Sequence, residues 1–141
     1  PTNRSPRDRE EARILYVGSD LELLAVLRAV LKKAEFHIVS CPDRGSAILY
    51  LKSDIRYDLL LFDIEMRDRA ALELTELARS LSHREQLPIV IVTANEVVGE
   101  LEGLAWSSGA LERVTKKDLA AIPQTITRLL GLGIDEFVAR N

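Results

Sequence analysis

Apolar positions along this chain fall into short unbroken runs separated by stretches with helical spacing. Ile14-Leu15-Tyr16-Val17, Leu59-Leu60-Leu61-Phe62 and Ile89-Val90-Ile91-Val92 are continuous apolar runs. A strand inside a parallel sheet is covered on both faces, so it reads as such a run rather than as an alternation. Residues 12–17, Phe36 to Ser40, Leu59 to Phe62, the run opened by Pro88, and Leu111 to Thr115 are the strand candidates. Between them apolar residues recur at helical steps: Leu24, Leu27 and Leu31; a stretch near Gly45 to Leu51; Leu74, Leu77, Ala78 and Leu81; Val97, Leu101, Leu104 and Ala105. That spacing stacks them on one helix face. Asp20 is an N-cap residue type before the first helix. Pro88 opens a strand, where a missing N–H is tolerated. Pro123 suits the first turn of a last helix ending before Gly131. Five strand–helix alternations predict an α/β domain with a parallel sheet covered on both faces.

The strand ends carry the chemistry. In an open α/β sheet, ligands and reactions sit at the carboxyl ends of the strands. The first run leads into Gly18-Ser19-Asp20, and Tyr57-Asp58-Leu59-Leu60-Leu61-Phe62 delivers Asp63, expected as an exposed tip. The fourth run leads into Thr93-Ala94, and Leu111 to Thr115 delivers Lys116. A carboxylate, a hydroxyl and an ammonium are thereby aligned along one edge.

This ordered set resembles the receiver domain of bacterial two-component response regulators over residues 12–130. The resemblance implies a flavodoxin-like (βα)5 fold: a doubly wound five-stranded parallel sheet of order 2-1-3-4-5 with helices on both faces. It further implies that Asp63 is the phosphoacceptor, Thr93 the hydroxyl residue, followed by the small Ala94, and Lys116 the family's lysine. Gly109-Ala110, Asp63-Ile64-Glu65-Met66 and Leu72-Glu73-Leu74 also match. The departures lie around the metal site. Gly18 and Ser19 stand where the family places two acidic residues, and Asp20 matches a position that more often caps the first helix. Arg67, Ala71 and Lys117 replace the usual proline, glycine and proline, while Lys116-x-Asp118-Leu119-x-x-Ile122-Pro123 resembles receivers of multidomain sensory proteins. Arg113 replaces the aromatic switch position and reads as a solvated residue. The implied cofactor is Mg²⁺, weakly held or absent, with Asp63, the backbone carbonyl of Glu65 and Asp20 as its candidate ligands. An Asp63–Lys116 ion pair is expected without any cation.

Composition narrows the reading. The 141 residues fit one domain, and 47% apolar content supplies a full core; a domain of this size buries roughly 70% of its unfolded surface. Net charge -3 argues against general nucleic-acid binding. The lone Cys41 excludes an internal disulfide and reads as a small buried residue. No apolar run approaches the ~18 residues needed to span a bilayer, and no signal-peptide pattern is visible, so a cytoplasmic domain is expected. Residues 1–11 are highly charged and read as a flexible tail. Residues 131–141 read as a tail, a linker or an extension of the last helix. The chain starts at Pro1 without methionine, as a piece of a longer protein would. His37 and His83 share no metal-ligand spacing, and Trp106 reads as packing.

Two functions fit these residues, neither of them that of an enzyme. One is a phosphorelay receiver, accepting a phosphoryl group on Asp63 from a histidine kinase or phosphotransfer protein. It would signal, and pair as a homodimer, through the face of helix four, strand five and helix five. The other is a pseudo-receiver binding a protein partner independently of phosphate. A flavodoxin-like cofactor binder is disfavoured, because no G-x-G-x-x-G follows the first strand.

Overall fold

The computed structural model of the chain describes residues 12–94, 99–110 and 112–131. Its elements run β1 (Arg13–Val17), α1 (Leu21–Lys33), β2 (His37–Cys41), α2 (Arg44–Lys52), β3 (Leu59–Asp63), α3 (Ala70–Ser80), β4 (Ile89–Thr93), α4 (Glu100–Ser108), β5 (Glu112–Thr115) and α5 (Ile122–Leu129). The strands form one sheet in the order β2-β1-β3-β4-β5, and every pairing is parallel. This is the flavodoxin-like topology expected. The 1–11 and 132–141 tails and Val97 lie outside the described residues.

Side chains alternate across each strand, so residue parity assigns them to a face. Leu15, Val17, Leu60, Phe62, Ile89 and Ile91 pack with Ala47, Leu51, Leu74, Ala78 and Ala105 of α2, α3 and α4. Ile14, Tyr16, Leu59, Leu61, Val90 and Val92 pack with Leu23, Leu27 and Leu31 of α1 and with Ile122 and Ile126 of α5. The central strands are buried along their whole length. Each such leucine contributes about 2 kcal/mol by leaving water.

Local chemistry sets the element ends. Asp20 caps α1, its Oδ1 accepting the Leu23 N–H at 3.0 Å, and Asp43 caps α2 through the Ser46 N–H at 2.7 Å. The end of α1 is closed by Glu35 in the left-handed region, φ 63°, with Phe36 N–H bonded to Leu31 O at 2.8 Å. That turn sends Phe36 into the core, so β2 begins one residue later than the apolar pattern indicates. In α1 the fully buried stripe is Leu23, Leu27 and Leu31, with Leu24 at its margin. In α4 the inward positions are Glu102 and Ala105, whereas Leu104 is exposed.

Candidate functional site

β3 lies between β1 and β4, so its carboxyl end is central and walled by neighbours. Asp63 therefore is not an exposed tip: it is only 4% accessible. One carboxylate oxygen, Oδ1, accepts the Glu65 N–H at 2.9 Å, which fixes the side chain over the β3–α3 turn. The other, Oδ2, faces Lys116 Nζ at 3.4 Å. Lys116 leaves the end of β5, and its own N–H donates to Thr93 O at 2.8 Å, tying the ends of β5 and β4 together. Thr93 closes β4, buried and one step beyond the Asp63–Val92 register pair. The three residues of the aligned edge are thus neighbours in space along one rim.

The ammonium gathers more than its expected partner. Glu65 Oε2 lies 3.4 Å and Asp20 Oδ2 lies 3.6 Å from Lys116 Nζ. Three carboxylates face one ammonium, so these four groups together carry excess negative charge. Asp20 serves α1 with one oxygen and the site with the other. The Leu23 N–H at the cap holds the Asp20 carboxyl below its ordinary value; desolvation opposes it, and the charge of Lys116 adds to the lowering. Burial alone would lower the Lys116 value, but Asp63 and Glu65 outweigh it and raise the ammonium above its usual range.

Mg²⁺ is a hard ion that takes oxygen ligands, and Asp63, Glu65 and Asp20 supply carboxylates of that kind in excess over Lys116. Those donors suit the ion chemically. Their arrangement is centred on the ammonium, however: among the described residues no group of three His, Cys, Asp or Glu is disposed to hold a metal.

Above β1 the site takes an unexpected form. Tyr16 is fully buried, and its ring rises on the α1/α5 face toward the strand end. A Cβ on Gly18 would land on the Tyr16 hydroxyl, 2.6 Å from Cζ and 3.1 Å from Asp63 Cβ. The phenol thus fills the space a side chain at position 18 would enter. Its hydroxyl is buried and has no hydrogen-bond partner among the described residues. Desolvation, reinforced by Asp63 and Asp20, pushes its pKa well up, so it stays protonated. Sequence reasoning missed Tyr16 because a tyrosine inside an apolar run reads as core. The available signal was a phenol two residues before a glycine where an acid is usual.

Arg113 is half-buried, not a free surface residue. Its Nη1 lies 3.4 Å from Oε2 of Glu102, which is 2% accessible in α4. Arg113 leaves β5 on the side covered by α4, so its guanidinium meets a buried carboxylate there. Cys41 is buried and free, Trp106 packs against the α2/α3/α4 core, and His83 Nε2 lies 2.9 Å from Ser53 O. Beside the site opens a cleft of about 490 Å³ lined by Ser19, Asp43, Arg44, Met66 and Arg67, in which Arg44 is already paired with Glu73 at 3.0 Å.

Comparison with known proteins agrees with this geometry. The response regulator receiver domain profile matches residues 14–138. The signal transduction histidine-protein kinase BarA of Escherichia coli is 32% identical over 91 residues, 64% of this chain and 10% of that protein. The CAI-1 autoinducer sensor kinase/phosphatase CqsS of Vibrio cholerae is 28% identical over 111 residues, 78% of this chain and 16% of that protein. The chain therefore spans between a tenth and a sixth of the length of these relatives. Among solved structures, the receiver domain of a Pseudomonas aeruginosa sensor histidine kinase, crystallised with a magnesium ion in its active-site cleft, superposes with TM-score 0.76 at 21% identity. That match covers 86% of this chain and 98% of the other. A CheY-like receiver domain protein of Methanospirillum hungatei gives 0.75 at 22% identity over 94% and 100% of the two chains. The profile match over most of the chain, joined to the 2-1-3-4-5 sheet, places the chain in the response regulator receiver domain family.

Proposed function

We propose that this chain is a phosphoacceptor in a two-component relay, taking a phosphoryl group on Asp63 from a histidine kinase or phosphotransfer protein. The observation that carries the reading is the approach of Lys116 to Asp63 at a buried strand end beside Thr93. In the step, an Asp63 carboxylate oxygen attacks phosphorus. The donor's P–N bond breaks, a P–O bond forms, and the departing imidazole nitrogen takes a proton from solvent. Lys116 offsets charge on the phosphoryl oxygens, and the Glu65 N–H holds the second carboxylate oxygen in place. Thr93, one strand over, donates its hydroxyl to the acquired group. Asp63, the Glu65 backbone carbonyl and Asp20 would hold Mg²⁺ weakly, and the ion when bound would offset further phosphoryl charge. The signal would pass through the α4–β5–α5 face, which also serves a homodimer.

Incubation with acetyl phosphate or phosphoramidate, with and without Mg²⁺, followed by intact mass, tests this reading. One added phosphoryl group in the native chain, and none in Asp63→Ala, is the expected result. The absence of an adduct from small donors and from a phosphorylated histidine phosphotransfer domain, with the protein folded, would sink it.

A second reading is supported by the absence of acidic side chains at Gly18 and Ser19. It is a pseudo-receiver acting as a phosphate-independent protein-interaction module through the same face. Partner binding equally strong in Asp63→Asn and the native chain would favour it.

A further inference from the structure

Tyr16 presents a problem of hydrogen bonding. A buried hydroxyl left without a partner costs about 1–3 kcal/mol, and phenylalanine would fill the same volume without that loss. The Tyr16 hydroxyl is such a group. It is not idle in direction: the hydroxyl, the Cβ vector of Gly18 and Asp63 Cβ converge on one spot at the head of β1. Its ring is fully buried, in the same cluster as Ile14, Leu27, Leu59, Leu61 and Ile126.

We propose that the Tyr16 hydroxyl is a ligand-binding group of the acceptor site, donating a hydrogen bond to an oxygen of a tetrahedral oxyanion carried on Asp63. The inference rests on the phosphoacceptor reading and adds a residue to it. A donor already desolvated and aimed at the site needs no rearrangement when an anion arrives, which makes it effective there. The phenol keeps its proton throughout. It is a neutral group standing where a carboxylate would otherwise bind a cation. The oxyanion is then held between Lys116 and Tyr16, with correspondingly less reliance on a divalent ion.

The pairing with Gly18 is part of the same arrangement. A Cβ at position 18 meets the phenol tip, so a side chain there requires the Tyr16 ring to shift.

The test uses beryllium trifluoride, which mimics a phosphoryl group on a carboxylate, titrated calorimetrically in excess Mg²⁺. Tyr16→Phe removes only the hydroxyl. It should weaken binding of the probe roughly 10- to 100-fold, the range for a lost hydrogen bond to a charged group. Affinity for Mg²⁺ alone and stability in urea should not fall. Equal affinity for the probe in Tyr16→Phe and native chain overturns this inference and leaves the phosphoacceptor reading standing. No binding by the folded native chain overturns both. The steric half is read separately through Mg²⁺ affinity. Gly18→Asp should be destabilised, and Tyr16→Val with Gly18→Asp should recover stability and bind Mg²⁺ more tightly than the native chain. A Gly18→Asp single variant as stable as the native chain, binding Mg²⁺ as tightly as the double variant, would overturn the claim that Tyr16 occupies that space.

Discussion

Lys116 touches two turns of the chain at once, through Asp20 after β1 and through Asp63 and Glu65 at the end of β3. This makes the site sensitive to pH at both extremes. The Asp20 carboxyl is depressed, so its contribution to stability is present above the ordinary carboxylate value and lost as pH falls through the folded one. The Lys116 ammonium is raised, so its contribution is present below about pH 10 and lost as pH rises through its folded value. Urea unfolding across pH should therefore show a shallower acid-side loss in Asp20→Asn and a shallower alkaline-side loss in Lys116→Met. Unchanged pH profiles in both variants would refute the coupling. At this scale Asp63, Thr93 and Lys116 were legible, because polar residues ending apolar runs have no place in a core. The second role of Asp20 was not legible, since helix capping already accounts for an aspartate there. Arg113 misled for the opposite reason: sequence shows a charge but not the buried Glu102 that receives it.

The elements were legible where burial is two-sided, as in β3 and β4, and less so where one residue shifts the frame, as at Glu35 before β2. In α4 the apolar spacing pointed at Leu104, which faces outward, while Glu102 faces in. Glu102 and Arg113 join α4 to β5, and neither Glu102 oxygen has a hydrogen bond among the described residues. A buried carboxylate is tolerable only while a cation stands against it. Arg113→Met should cost about 2–3 kcal/mol, and adding Glu102→Leu should restore most of that loss. A double-mutant cycle by denaturant unfolding checks this, and simple additivity would show the pair to be uncoupled. The helix–strand joint in the proposed signalling face thus turns on a charge pair rather than an aromatic ring.

In the molecule as a whole, two arginines connect regions that the sheet leaves apart. Arg79 of α3 reaches Gly109 O at the end of α4 at 2.7 Å and Leu87 O before β4 at 2.8 Å. Arg84, 2% accessible, donates to Leu51 O at 2.9 Å, Tyr50 O at 3.2 Å and Ser53 O at 2.9 Å, and stacks over the Tyr57 ring. It gathers the carbonyls at the end of α2, of which Tyr50 O also accepts from Ser53. Arg84→Met should destabilise the fold by about 2–4 kcal/mol, lowering the urea midpoint with an unchanged slope; a changed slope would mean that α2 unfolds separately. The overall topology was legible because unbroken apolar runs alternate along the chain with helically spaced ones. These long-range clasps were not, because an arginine in sequence carries no mark of the carbonyls it will meet. The Tyr16–Gly18 pair has a consequence of another kind, in descent. An acid at position 18 is blocked while tyrosine stands at 16, and replacing the tyrosine first opens a hole in the core. A chain carrying this pair would not gain an acidic residue at position 18 by one harmless step, so the pair would act as a ratchet.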